Sequence, residues 1–348
     1  MRREKNFLIL LIFCAFVSVI LSAGCLSPDT TDTGESVTIM QTDGTLFTLP
    51  HAAERIVLMN SNAAEMLYVI GASDKVVGVS QSILDHIELG PLFLHATSVG
   101  KWDVPDVELI SSLNPDIVIA FASSKPKNVD TIESAGIPIV YIDCYKPTTM
   151  IEDVQALGIL TGNEEKASEF IAFYTGVMNN VSSTISDVVS IPRVYCEGYT
   201  EYSGQAKGSG MDLLLDIVQG ENIFMEETGD TAPKISPEWL IGENPDAIIK
   251  VVTVAKMSDA SGEFDSLVSR TGFSSINAVA YNRTWVISND IAYGPRTFAG
   301  AVAVAKLLHP EEAMSLDVES VLDAYNAQFG LHVSNGILVY PALPMHTQ

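Results

Sequence analysis

Apolar residues recur along this chain at two spacings. Arg55 to Met59 (RIVLM), Lys75 to Val79 (KVVGV) and Ile137 to Asp143 (IPIVYID) are short continuous apolar runs, the pattern of strands buried on both faces. Asn62 to Gly71 (NAAEMLYVIG) reads as a helix and ends on glycine, a natural helix stop. The second half repeats the alternation. RVYCEGY, AIIKVV and TWVIS predict strands, and GMDLLLDIVQG predicts a helix ending at Gly220. Strands alternating with helices give a parallel sheet covered by helices, so the expected fold is α/β with two Rossmann-like lobes.

Between the lobes the pattern turns wholly helical. TTMIEDVQALGIL is one amphipathic helix, broken at Thr161-Gly162, and Asn163 is placed to cap the next. Ala167, Phe170, Ile171, Tyr174, Val177, Met178, Val181 and Ile185 then recur at helical spacing. About 25 residues of helix are long enough to cross from one lobe to the other as a single rod.

Two segments match each other. ELISSLNPDIVIAF begins at Glu108 and EWLIGENPDAIIKV at Glu238. Asp106 and Ser236 precede each glutamate by two residues, where a helix N-cap belongs. Each glutamate then falls in a first helical turn, where the helix dipole favours a carboxylate. Asn114-Pro115 and Asn244-Pro245 end the two helices, because a residue before proline avoids helical geometry.

The start of the chain predicts export. Arg2, Arg3 and Lys5 precede an apolar stretch, and Leu21 to Cys25 reads LSAGC. Residues 1–24 are expected to be a lipoprotein signal, Cys25 the acylated residue and 25–36 a polar tether. An uncleaved signal anchor is the other reading, and both place the rest outside the cytoplasmic membrane. The lobes are then expected at 37–146 and 191–348, with linker helices at 147–190.

The net charge is −24. Removing the signal, with three basic residues and Glu4, takes it to −26. That charge argues against nucleic acid as a partner, and membrane contact is expected through the lipid only. Apart from Cys14 and Cys25, the cysteines are Cys144 and Cys196. No Cys-x-x-Cys spacing supports a zinc or redox site. A Cys144–Cys196 disulfide and two separate buried thiols fit equally well. The six histidines show no metal-ligand spacing, so no protein-held metal and no cofactor are expected.

Taken together and in order, these features resemble the iron-chelate and cobalamin family of periplasmic binding proteins, the substrate-capture parts of ABC importers. The resemblance rests on the hairpin VTIMQTDGTLFTLP with its Asp43-Gly44 turn, on RIV followed by AAEMLYVIGASDKVVGVS, and on both Glu…Asn-Pro-Asp repeats. LGILTGNEEKASEF and AKLLHPEEA also fit, whereas the tail from Leu331 has no counterpart. The resemblance implies two lobes joined by one rigid helix, with the ligand between them. It also implies that Glu108 and Glu238 dock onto arginines of the permease, which works with its ATPase.

Ligands of open α/β sheets sit beyond the carboxyl ends of the strands. The loops there supply the candidate ligand-binding residues. In the first lobe they are Asn60, Ser61, Gln81, Trp102, Lys125 and Tyr145; in the second, Tyr199, Tyr202, Tyr293 and Arg296. The aromatic residues suit a bulky ligand, and Arg296 suits a carboxylate or chelate oxygen. A metal chelate is therefore expected, a ferric siderophore first and cobalamin or haem next. The alternatives are an α/β surface enzyme and a bare metal-ion or oxyanion binder. Against an enzyme, there is no Gly-x-Ser-x-Gly elbow, no Walker loop and no Gly-x-Gly-x-x-Gly after a strand.

Overall fold

The computed structural model describes residues 36–224, 232–333 and 336–342. The expected signal, Cys25 and the tether as far as Glu35 lie outside the described residues. The described residues form one compact unit.

A hairpin comes first, β1 (Val37–Met40) pairing antiparallel with β2 (Leu46–Leu49) around Gly44, whose φ of 83° the turn requires. The first lobe follows: β3 (Ile56–Leu58), α1 (Ser61–Val69), β4 (Val76–Val79), α2 (Gln81–Leu84), β5 (Thr97–Ser98), α3 (Val107–Ser112), β6 (Ile117–Ala120), α4 (Val129–Ser134) and β7 (Ile139–Tyr141). Its strands are all parallel, in the order β5-β4-β3-β6-β7. The order reverses at β3, and the crevice between β3 and β6 is where such sheets hold ligands.

Helices α5 (Met150–Thr161) and α6 (Glu164–Thr184) lead to the second lobe. Gly162 ends α5 with φ of 68°. Asn163 does start α6, but its side chain makes no cap and donates instead to Ile70 O, 3.0 Å away. With 21 residues, α6 is shorter than the sequence suggests and about 32 Å long.

The second lobe contains β8 (Arg193–Glu197), α7 (Gly210–Ile217), β9 (Glu221–Asn222), α8 (Pro237–Glu243), β10 (Ala247–Val252), α9 (Ala260–Val268), α10 (Asn277–Ala280), β11 (Thr284–Ser288), α11 (Asn289–Ala292), α12 (Thr297–Leu308), α13 (Val318–Phe329) and β12 (Val339–Tyr340). Its order is β12-β11-β10-β8-β9, parallel except for β12. Two expectations change here. Helix α7 stops before Gly220, and Gln219 takes the left-handed conformation (φ 55°). The tail without a counterpart supplies β12, which closes one sheet edge with Tyr340 packed on Phe264.

The matching segments share a fuller logic than their sequences suggest. Asp106 accepts from Leu109 N at 3.0 Å and Ser236 from Trp239 N at 3.1 Å, so both N-caps form. Asn114 and Asn244 both adopt positive φ, 45° and 47°. Asp116 then accepts from Arg55 N, and Asp246 from Arg193 N, pinning each strand to the start of its neighbour. The Arg55 and Arg193 side chains donate to Leu113 O and Glu243 O at the ends of α3 and α8, where a cation suits the dipole.

One hydrophobic core runs through both lobes. It includes Ile56 and Leu58 of the first sheet, Ile249 and Ile287 of the second, and Phe170, Phe298 and Tyr325 between them. Phe298 lies edge-on to Phe173 and Tyr325 at 5.2 and 5.1 Å. The Tyr174 and Thr297 hydroxyls bond at 3.0 Å within this layer, tying α6 to α12. The linker helix is therefore packed into the core along its length. Cys144 and Cys196 are separate buried thiols, and burial raises the pKa of both.

Candidate ligand cleft

The carboxyl ends of the two sheets face a cleft of about 480 Å³. Ser61, Asn62 and Glu65 reach it from α1, and His86 and Leu89 from the segment after α2. Trp102 follows β5, Phe121, Ser123 and Ser124 follow β6, and Tyr145 follows β7. The second lobe contributes Tyr199 beyond β8 and Asn289, Asp290, Tyr293, Pro295 and Arg296 beyond β11.

Aromatic rings make two walls. Trp102 meets Phe121 edge-on at 6.4 Å. Opposite in kind, Tyr145 stacks on Tyr293 across the lobes, with centroids 5.0 Å apart and planes 22° from parallel, and Tyr199 adds an edge at 6.4 Å. The stack is tightly backed: a side chain at Gly210 would place its Cβ 2.8 Å from the Tyr293 ring. Burial holds the Tyr145, Tyr199 and Tyr293 hydroxyls above their usual pKa, so they stay protonated. Tyr293 donates to Gln205 Oε1 at 3.2 Å.

The floor is polar and joins the lobes. Gly294 N donates to Tyr145 O at 3.0 Å, and Gly294 has φ of 73°, a left-handed conformation that favours glycine. Arg296 donates through Nε to Glu65 at 2.9 Å and through Nη1 to Glu88 at 2.6 Å; Asp290 lies 3.7 Å away. Tyr325 also donates to Glu65, at 2.8 Å. Burial opposes the Arg296 charge, but Glu65 and Glu88 outweigh it and hold the guanidinium above its ordinary pKa. Burial raises the Asp290 carboxyl, against the pull of Arg296 and His86. The amides of Glu88 and Leu89 donate to His86 Nδ1, both at 3.3 Å.

Of the residues expected from sequence, Ser61, Trp102, Tyr145, Tyr199, Tyr293 and Arg296 are brought together in the cleft. Four are not. Asn60 is fully buried; its carbonyl caps α1 and its amide donates to Ile142 O and Asp143 O. Gln81 bonds Asp85 and Ser98 on the surface. Lys125 lies over the Tyr141 ring at 3.9 Å. Tyr202 packs under Arg270 and against Phe273, where Glu197, Lys250 and Arg270 form a buried ion network.

Arg296 needs a larger correction. Its charge is already engaged by two glutamates of the opposite lobe, so it is not a lone cation waiting for an anionic chelate. Glu65, His86, Leu89, Phe121, Asn289, Asp290 and Pro295 were missed. Glu65 left a trace, a carboxylate between Ala63-Ala64 and Met66-Leu67 in a predicted helix.

The repeat glutamates lie elsewhere. Glu108 and Glu238 are both exposed, in the first turns of α3 and α8. Among the described residues no group of three or more His, Cys, Asp or Glu is placed to hold a metal ion.

Comparison with known proteins agrees with this architecture. The profile of the family described as "Periplasmic binding protein" matches residues 56–290. An uncharacterised ABC transporter substrate-binding lipoprotein of Bacillus subtilis is 25% identical over 321 residues, covering 85% of this chain and 95% of the relative. A cobalamin-binding protein of Halobacterium salinarum is 27% identical over 303 residues, with 80% and 78% covered. The crystal structure of a TroA-like periplasmic binding protein from Veillonella parvula has the same fold. Its TM-score is 0.68 at 21% identity, with 87% of this chain and 99% of that one covered.

Proposed function

The chain belongs to the periplasmic binding protein family, and from that premise we propose that it captures a metal chelate for an ABC importer. The observation that carries this reading is the cleft. Two sheets turn their carboxyl ends toward one concave site, walled by Trp102 and Phe121 on one side and by Tyr145, Tyr199 and Tyr293 on the other. Flat rings offer wide contact area to a large, rigid ligand, and their hydroxyls fix its orientation. A chelate brings its own metal ligands, so the protein supplies none.

Ser61, Trp102, Tyr145, Tyr199 and Tyr293 are the proposed ligand contacts. Glu108 and Glu238, one per lobe on exposed helix starts, are the proposed docking points for the permease. Cys25 is proposed to carry the lipid that holds the protein at the outer face of the cytoplasmic membrane; the lipoprotein relative supports this. A hydrolase of the serine type would need an activated nucleophile. The Nδ1 of His86, the histidine lining the cleft, is taken by backbone amides rather than by a serine.

Titration of the protein with cobalamin, haem and ferric siderophores tests the reading. One chelate should bind at micromolar affinity or better and be recovered chemically unchanged. Absence of binding across the set, or conversion of the ligand, would sink it.

A further inference from the structure

The second lobe buries a set of charges that do not line the cleft. Glu197 is the last residue of β8 and is fully buried. Lys250 stands beside it in register on β10 and donates to it at 3.0 Å. Arg270, from the segment after α9, grips both carboxylate oxygens at 2.7 and 2.8 Å. Burial opposes the Glu197 charge, but Arg270 and Lys250 outweigh it and hold the carboxyl below its ordinary pKa. Bulk stability does not account for such a network, because apolar side chains of similar volume often serve as well or better. Paired ions add direction instead.

That direction falls on one loop. Residues 198–203 leave β8 directly after Glu197 and close on themselves, Gly198 N donating to Ser203 O at 2.8 Å. Tyr202 N donates to Glu197 Oε2 at 2.9 Å, and the Arg270 guanidinium lies over the Tyr202 ring at 4.7 Å. Tyr202 takes a left-handed φ of 58°, which a non-glycine residue keeps only where its surroundings fix it. Tyr199, in the same loop, lines the cleft and sets an edge against Tyr293.

The geometry points to Glu197 as a positioning residue for the ligand: held by Lys250 and Arg270, it fixes the loop that presents Tyr199 to the cleft. Glu197 itself touches no ligand. On the metal-chelate reading of the cleft, on which its role rests, it acts through the Tyr199 ring.

The full chain in detergent is titrated with cyanocobalamin, haemin and ferrioxamine B. Arg270→Lys keeps the charge and loses the two-pronged grip, and Glu197→Gln removes the negative charge. Each is expected to weaken chelate binding about tenfold at a temperature where circular dichroism shows it folded. If Glu197→Gln does not fold, Arg270→Lys carries the comparison alone. Neither should weaken binding further once Tyr199→Ala is in place, because the effect passes through that ring. Unchanged affinity in the folded variants, or losses that multiply with Tyr199→Ala, would overturn the assignment. Hydrogen exchange needs neither ligand nor variant. The Tyr202 amide should exchange as slowly as the amides of β8, and fast exchange there would also overturn the assignment. Failure of all three chelates to bind the wild type would remove the chelate reading and leave hydrogen exchange to decide whether Glu197 fixes the loop.

Discussion

The Arg296 guanidinium holds the cleft floor together, and its partners Glu65 and Glu88 stand 231 and 208 residues away in the chain. Such separation is why sequence identifies the residue and misreads its role: a side chain at a strand-end loop is visible, its remote partner is not. Arg296→Met strands two glutamates in a nearly dry site. A stability loss of about 3–5 kcal/mol is expected in urea denaturation, the scale for breaking a buried pair; a loss under ~1 kcal/mol would show that the contact holds nothing. Trp102 is half-buried and faces the cleft, so Trp102→Ala should leave folding intact and weaken chelate binding by about 1–3 kcal/mol. Calorimetric affinities equal to wild type would place its ring off the ligand. Asp153 supplies a pH signature. Burial lifts its carboxyl from 3.8 to about 6, despite hydrogen bonds from Thr42, Cys144 and Thr149. Between about pH 4 and 6 the native state keeps a proton that the unfolded chain has lost, so stability from this group falls as pH rises, by about 3 kcal/mol in all. Asp153→Asn should flatten that slope, and an unchanged slope would assign it to other groups.

Elements in the two repeats were the most legible part of the fold, because their signals are local. A cap, a first-turn glutamate and an Asn-Pro stop all act within a few residues. Arg55 and Arg193 were not recognised as members of the repeat, since each satisfies carbonyls at the end of a helix some 50 residues further on. Strand β12 was invisible for a related reason: only Val339 and Tyr340 pair, and their partners lie in β11. The caps should behave alike, with Asp106→Ala and Ser236→Ala each costing about 1 kcal/mol. At the same helix starts, reversal of Glu108 and Glu238 to Arg should abolish uptake by cells and leave solution affinity unchanged. Normal uptake by the double variant would end the docking proposal.

For the whole molecule the decisive feature is the core that passes from one sheet to the other through α6, α12 and α13. Lobes that share buried Phe170, Phe298 and Tyr325 cannot separate without exposing them. A single cooperative thermal transition is expected, and two resolved calorimetric peaks would show independent lobes. The same continuity, with the Arg296 and Gly294 ties beneath the cleft, predicts a nearly constant radius of gyration in small-angle scattering when ligand binds. The stacked Tyr145 and Tyr293 rings then acquire a use of another kind. They belong to opposite lobes, and their π-systems lie close enough to couple electronically. Near-ultraviolet circular dichroism should carry the signature of that coupled pair, so the intact protein holds an intrinsic, label-free optical gauge of how far apart its halves stand.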